Sequence, residues 1–280
     1  MSSPHPSSRQ QARVLPIENL LRPGPSHEAV GARRHWSVPV APAATVSVLC
    51  STCHLHDSCL PALASFDDFE DIDGRLVAAR RKVAQGEALF RAGDRFDSVF
   101  AIWTGFFKTV VTGEQGAEQV TGFHMAGEMI GFDGIDHDCH EVDAIALEDS
   151  QVCVIPFAEL QLLARTVGAL QKQVYRWMSR EIVNDHQAML RLGSMNAEER
   201  LAAFLLDLTR RLQSRGFSSH SVLLRMSRQE IGSYLGVKLE TVSRTFSKFQ
   251  AAGLLFVSQR QVLIADAPGL RHVLERGFIA

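Results

Sequence analysis

Ser227-Arg228-Gln229-Glu230-Ile231-Gly232-Ser233-Tyr234-Leu235-Gly236-Val237-Lys238-Leu239-Glu240-Thr241-Val242-Ser243-Arg244 reads as two helices joined by a tight turn. Ser227 is placed to cap the first helix, whose Ile231 and Leu235 face a core. Gly236 supplies the positive φ that a short inter-helix turn requires. The second helix runs over Leu239–Gln250, with Val242 and Phe246 anchoring it from beneath and Gly253 ending it. Upstream, Asn196–Leu212 has an amphipathic helical pattern, with Asn196 as N-cap and Glu198 and Glu199 in the first turn. Arg215–Ser221 reads as a loop. Downstream, Leu254–Val257 and Gln261–Ile264 alternate as a β-hairpin. Helix, helix, turn, helix and hairpin make a winged helix-turn-helix.

That arrangement leaves Glu240, Ser243 and Arg244 on one outward face near the start of the second helix, spaced by three and four. Arginine can bond guanine O6 and N7 together, glutamate can accept from cytosine N4, and serine can bond a base or a phosphate. Arg228, Lys238, Thr241 and Lys248 are the candidate phosphate contacts, which position a protein on duplex DNA without reading sequence. On an isolated helix Glu240 and Arg244 would be an ordinary i,i+4 surface pair; the surrounding motif makes them the expected base readers.

Before this region, glycine is missing from Ala169 to Leu192 and the apolar period becomes helical. Tyr175, Met178, Ile182, Met189 and Leu192 follow the 3-4 spacing of a coiled-coil seam. The place that completes the seam holds Asp185. A helix of this kind between two domains is where a homodimer is expected to form, with Met178, Ile182 and Met189 as contacts. Two Asp185 carboxylates facing each other in a parallel pair would oppose association by ~1–4 kcal/mol, which makes Asp185 a candidate dimer switch.

Earlier still, Arg81–Phe157 breaks into short apolar runs: Ala88–Phe90, Val99–Trp103, Lys108–Val111, Val120–His124, Ala144–Leu147 and Val152–Ile155. Glycine and aspartate separate them, the pattern of an antiparallel β-roll. A short acidic helical segment is expected over Phe66–Asp73. The fold class is therefore α+β: an N-terminal β-roll, a long dimerisation helix and a C-terminal winged helix-turn-helix. The expected divisions are a disordered tail over 1–45, a β-roll domain with its cysteine segment over 46–168, the dimerisation helix over 169–192 and the DNA-binding domain over 193–280. The tail is rich in Pro, Ser, Ala and Arg and has no continuous apolar region like that of a signal peptide.

The chain has 280 residues and a net charge of −2, but the charge is unevenly spread. Residues 46–150 carry 7 basic and 19 acidic residues, whereas residues 191–280 carry 13 basic and 7 acidic. The second region attracts a polyanion and the first repels it. No apolar run long enough for a membrane span occurs, and a cytoplasmic location is expected.

Five cysteines lie at 50, 53, 59, 139 and 153. An odd number without a secretion signal argues against a disulfide framework and for ligand or redox chemistry. Cys50-Ser-Thr-Cys53-His-Leu-His-Asp-Ser-Cys59 has the spacing C-x2-C-x5-C, which can converge three thiolates on one site. A fourth ligand could come from Cys153, Cys139, His54 or His56, and spacing alone leaves zinc and an iron–sulfur cluster equally open. Cys153 sits on an apolar strand and also fits as a packing residue. No βαβ context surrounds Cys50 and Cys53, and no nucleophile–base set is visible, so an enzyme is not expected.

These pieces together resemble the FNR branch of the CRP/FNR superfamily of bacterial regulators, from about Val48 to Ile264. The resemblance is carried by the cysteine run followed by Leu60-Pro61; by Thr121-Gly122-Phe123-His124-Met125-Ala126-Gly127-Glu128; by Val152-Cys153-Val154-Ile155-Pro156-Phe157; by Asn196-Ala197-Glu198-Glu199-Arg200-Leu201-Ala202-Ala203-Phe204; and by Glu240-Thr241-Val242-Ser243-Arg244. It implies one [4Fe–4S] cluster per subunit on Cys50, Cys53, Cys59 and Cys153, converted by oxygen to a [2Fe–2S] form with weakening of the dimer. It implies a palindromic TTGAT-type site read by Glu240, Ser243 and Arg244, and RNA polymerase as a partner, for which the Gly113–Gly116 turn is a candidate surface. Cys139 matches no ligand of the family. No cyclic nucleotide is expected: nucleotide-binding relatives place Arg-Ser or Arg-Thr after the Gly-Glu step, and here Glu141-Val142-Asp143-Ala144 follows Gly127-Glu128.

Overall fold

The computed structural model describes residues 48–60, 69–113 and 116–275. The expected tail over 1–45 lies outside these residues, as do 66–68, the first three residues of the expected helical segment over Phe66–Asp73. In the described part of that segment Phe69 and Glu70 are helical, and turns follow through Arg75.

After a one-turn helix α1 (His56–Cys59), eight strands form the β-roll: β1 (Ala79–Val83), β2 (Ala88–Phe90), β3 (Ser98–Thr104), β4 (Phe106–Thr112), β5 (Glu118–Met125), β6 (Met129–Ile130), β7 (Asp143–Ala146) and β8 (Ser150–Pro156). They pair antiparallel as two sheets, in the orders β1-β8-β3-β6 and β2-β7-β4-β5. The six apolar runs read from sequence all become strands. The charged strand β1 and the two-residue β6 carry no alternating pattern, and partner pairing makes them: Ala79 to Val83 are in register with Val154 to Ser150.

Period-2 alternation gives the roll three distinct faces. Phe100, Ile102, Phe107, Ala144, Ala146 and Val152 meet between the sheets. Val99, Ala101, Cys153 and Ile155, one position out of phase, face the opposite side of the first sheet. There they are covered by the cysteine segment, by α2 (Phe157–Thr166) and by the start of α3 (Gly168–Ser194). Phe106, Val110, Val120, Phe123 and Met125 leave the second sheet on its outer side and join the core of the C-terminal domain.

The long helix extends two residues beyond the expected end, through Gly193 to Ser194. It buries Leu170, Gln173 and Trp177. Tyr175, Met178, Ile182, Asp185, Met189 and Leu192 are exposed. Next come α4 (Ala197–Gln213), strand β9 (Ser221–Leu223), α5 (Arg228–Leu235), α6 (Leu239–Ala251), β10 (Leu255–Ser258), β11 (Gln261–Ile264) and α7 (Ala267–Glu275). Asn196 and Ser227 each cap a helix in a full capping box, with Glu199 and Glu230 as reciprocal partners. Gly236 closes α5 at φ 64°. The wing differs from the expected hairpin. It has three strands, because Ser221–Leu223, at the end of what reads as a loop, pairs with β11.

Candidate functional site

Successive turns fold the cysteine segment: the Cys53 N–H donates to the Cys50 carbonyl (3.1 Å) and the His56 N–H to that of Cys53 (3.0 Å). Asp73 fixes the start. Its carboxylate accepts the N–H groups of Cys50 (2.6 Å) and Ser51 (3.1 Å) as well as the Ser51 hydroxyl. Strand β8 delivers Cys153 to the same place. Cys50, Cys53, Cys59 and Cys153 line one cavity, walled by Leu55, Leu60, Leu76, Ala101, Ile102, Trp103 and Ile155. Cys139 does not line it; that residue makes a bridge with Arg95 at the edge of the roll. His56 lines the cavity and His54 does not.

Cys50, Cys59 and Cys153 are each held above the ordinary thiol range. Burial, then Asp73, Cys153 and Cys53, push the Cys50 thiol up to about 12. Burial raises Cys59 further still, helped by Cys50, Cys153 and Cys53. Burial also raises Cys153, against a hydrogen bond and the positive charge of Arg80. Thiolates crowded in an apolar cavity need a cationic centre between them to ionise. Among the described residues no three His, Cys, Asp or Glu side chains are gathered to hold one metal ion. That donor set, four soft sulfurs with no carboxylate and apolar walls, fits an iron–sulfur cluster, which separates its ligands by the width of the whole cluster.

The cysteine segment is also tied to the long helix. The carbonyl of Cys59 accepts the Trp177 indole N–H (3.0 Å) and the Gln173 amide (3.3 Å). Both are on the buried face of α3 (Gln173 0%, Trp177 3% exposed). Sequence reading missed these residues, since a glutamine on a buried face carries no apolar signal.

On the DNA side, α6 buries Val242, Thr245, Phe246 and Phe249. Lys238, Glu240, Ser243, Arg244 and Lys248 are exposed and Thr241 is half-buried. The Arg244 Nε donates to the Glu240 backbone carbonyl (3.3 Å). Thr241, Arg244, Thr245 and Lys248 line a groove of about 460 Å³ with Asn196, Ala197 and Glu198 at the start of α4. Lys248 is ion-paired there to Glu198 (2.5 Å). Arg228 sits differently from the other expected phosphate contacts. Its guanidinium lies 3.3 Å from the centre of the Phe246 ring, and burial lowers its pKa to about 10.

The β-roll holds the DNA-binding domain through buried charge. Glu128, the acid of the Gly-Glu step, accepts two bonds from Arg211 (3.1 and 2.6 Å) and one from Arg215 (2.7 Å). Burial alone would raise the Glu128 pKa, and the two guanidinium groups hold it below the ordinary range. Lys108 on β4 pairs with Glu230 on α5 (2.7 Å), and the Val120 N–H donates to the Ser233 hydroxyl (2.9 Å). These partners lie more than 80 residues apart in the chain, and no local motif announces them.

A β-roll joined by a long, apolar-faced helix to a winged helix-turn-helix defines a DNA-binding regulator with a separate sensing domain. Comparison with known proteins agrees. Residues 199–273 match the Crp-like helix-turn-helix domain family, and residues 80–166 match the cyclic nucleotide-binding domain family. The chain is 43% identical over 237 residues to Transcriptional regulatory protein btr of Bordetella pertussis, covering 85% of this chain and 96% of that relative. It is 40% identical over 224 residues to Fumarate and nitrate reduction regulatory protein of Salmonella typhimurium, covering 80% and 89%. Its fold is similar to the solved structure of FixK2 from Bradyrhizobium japonicum, with a TM-score of 0.65, 29% identity, and 71% and 98% of the two chains covered. The chain belongs to the FNR branch of the CRP/FNR family, and it is a transcription regulator and not an enzyme. No helix among the described residues is long and apolar enough to cross a membrane.

Proposed function

We propose that this chain is an oxygen-responsive regulator of anaerobic metabolism that holds one [4Fe–4S] cluster per subunit and binds DNA as a homodimer. The observation that carries this reading is the meeting of Cys50, Cys53, Cys59 and Cys153, and not Cys139, at one apolar cavity whose loop hydrogen-bonds the long helix. When bound, the cluster supplies reactivity toward oxygen, through its conversion to a [2Fe–2S] form. The residues of the chain turn that event into a change of association. Cys50, Cys53, Cys59 and Cys153 would hold the cluster; the Cys59 carbonyl accepts from Trp177 and Gln173, and the outer face of α3 would present Tyr175, Met178, Ile182, Met189 and Leu192 to a second copy. Asp185, exposed on that face, opposes pairing by ~1–4 kcal/mol when two carboxylates approach. A dimer so balanced is shifted ~100-fold by a few kcal/mol.

In the dimer two α6 helices enter successive major grooves ~34 Å apart, reading a palindromic TTGAT-type site. Glu240, Ser243 and Arg244 contact bases. Lys238, Thr241 and Lys248 hold phosphates, Lys248 by exchanging Glu198 for the backbone, and Arg228 contributes charge from its seat on Phe246. The bound dimer then acts on RNA polymerase. A cyclic nucleotide has no part in this reading, since Glu128 is committed to Arg211 and Arg215.

The test is anaerobic purification of the full chain with iron and sulfide analysis, visible spectra and operator binding before and after aeration. The expected protein is straw-brown with roughly four irons and four sulfides per chain, and it loses colour, dimer and operator affinity together in air. Iron-free or zinc-loaded protein that pairs and binds equally in both atmospheres refutes the proposal.

A further inference from the structure

Two tryptophans flank the cysteine segment, and their indole N–H groups are treated differently. Trp177 donates to the Cys59 carbonyl. Trp103, at the end of β3, lines the cysteine cavity, and its Nε1 is buried without any acceptor. Among the described residues only one other buried side-chain nitrogen or oxygen lacks a hydrogen-bond partner, the Arg228 Nη1, and that guanidinium lies against an aromatic face. Buried donors in folded proteins are paired almost without exception, so an orphan marks a missing acceptor. The accessible wall of this cavity is apolar, which gives a lone water too few partners to settle there. The side chains lining the cavity that can accept from this N–H are the four cysteine sulfurs and the His56 imidazole, and the sulfurs are the larger group. Arg80 adds a second feature: it lines the same cavity, and its guanidinium lies 4.0 Å above the Trp103 ring.

We propose that Trp103 and Arg80 tune the four-cysteine site, Trp103 by an N–H···S hydrogen bond to a cluster or ligand sulfur and Arg80 by its positive charge beside that sulfur cage. This rests on the reading of that site as an iron–sulfur site. Hydrogen bonds to sulfur and nearby positive charge stabilise the more electron-rich form of such a centre and raise its reduction potential. Together these effects slow attack by oxygen, so the pair sets how much oxygen the regulator tolerates before it responds. Both are positioning residues that ligate nothing themselves.

The experiment uses the full chain, purified anaerobically, as wild type, Trp103→Phe and Arg80→Met. Iron and sulfide content of the wild type decides the underlying reading separately: without iron and sulfide, that reading and this inference both fail. With the centre present, resonance Raman spectra of the wild type in H2O and D2O are expected to differ in the Fe–S stretching bands, and Trp103→Phe, which keeps the ring and removes the donor, is expected to lose part of that difference. Both variants should show a lower reduction potential and a several-fold faster loss of visible absorbance in air at unchanged iron content. A wild type with no solvent-isotope shift overturns the role of Trp103 even if the variant fails to fold. Loaded variants that match the wild type in potential and bleaching rate overturn the tuning role of both residues.

Discussion

Replacing Trp177 by phenylalanine separates the coupling of the cysteine segment from the simple packing of α3. The indole donates to the Cys59 carbonyl at 3.0 Å from a side chain only 3% exposed. Losing that bond costs ~0.5–1.5 kcal/mol, softened because Gln173 still donates to the same oxygen. The smaller ring leaves a void worth ~1 kcal/mol more. A total near ~2 kcal/mol corresponds to roughly a 30-fold change in an equilibrium constant. If the bond transmits the state of the cysteine site, that change falls on the response: the ratio of dimer dissociation constants in air and without oxygen should shrink by up to ~30-fold. Sedimentation under both atmospheres measures the ratio. Leu170→Ala is the control, because Leu170 is fully buried in the same helix and makes no bond to Cys59; it should cost ~2–5 kcal/mol of stability and leave the ratio alone. Trp177→Phe that loses stability while keeping the wild-type ratio refutes the coupling.

Other perturbations address the remaining parts. Asp185→Ala should yield a dimer that binds operator in air, tightened ~10- to 100-fold, and an air-exposed variant that stays monomeric by sedimentation speaks against the seam. Arg244→Ala should cost ~1–3 kcal/mol and relax choice at one base pair, which binding to a set of single-base operator variants would reveal; uniform weakening across the set would assign Arg244 to phosphate instead. Glu181 on α3 has its pKa pushed up to about 7 by burial, then by Glu128 and Asp185, with Arg211 and Arg180 opposing. Between pH 4.5 and 7 the folded chain therefore keeps a proton that the unfolded chain releases, and stability falls as pH rises through that window. Urea titrations of the cluster-free chain should show Glu181→Gln flattening this decline; an unchanged slope removes Glu181 as its source.

What the sequence discloses and withholds follows from how far apart the partners lie. The turn at Gly236, the caps at Asn196 and Ser227 and the exposed trio Glu240, Ser243 and Arg244 depend on neighbours within a few residues, and each is where its local pattern places it. Cys153 is the intermediate case. Alternation on β8 shows that it faces away from Val152, but only the assembled sheets show that this side carries the cysteine segment. Strand β1, with Arg80, Arg81 and Lys82 in sequence, has no apolar periodicity; pairing with β8 creates it. Arg228 looks free to reach a phosphate in sequence, because nothing nearby announces Phe246 as its platform. Glu128 is legible as part of a motif, yet its partners Arg211 and Arg215 belong to a different domain.

The hydrogen bonds of Cys59 and Arg200 give a small event at the cysteine segment a route to the DNA-reading helices that does not deform the β-roll. The interior of the roll is filled by Phe100, Ile102, Phe107 and Val152, and close-packed cores resist gradual distortion. The cysteine segment touches α3 directly, outside that interior. At the other end of α3, Arg200 binds the carbonyl oxygens of Leu192 and Met195 (both 2.8 Å) and that of Leu235 at the helix-turn-helix bend (2.9 Å). Arg191 of α3 also reaches the Tyr234 hydroxyl (3.0 Å). One guanidinium thus joins the end of the dimerisation helix, the start of α4 and the turn before the recognition helix. If α3 pairs with its copy as proposed, a change in that pairing would be delivered to this joint as a rigid-body movement of the whole reading head. No residue of α6 lines the cysteine cavity, so on the proposed reading the affinity of each half-site would stay a property of Glu240, Ser243 and Arg244. Oxygen would then act on whether two heads are held at the spacing of the palindrome, and not on how well either one reads its bases.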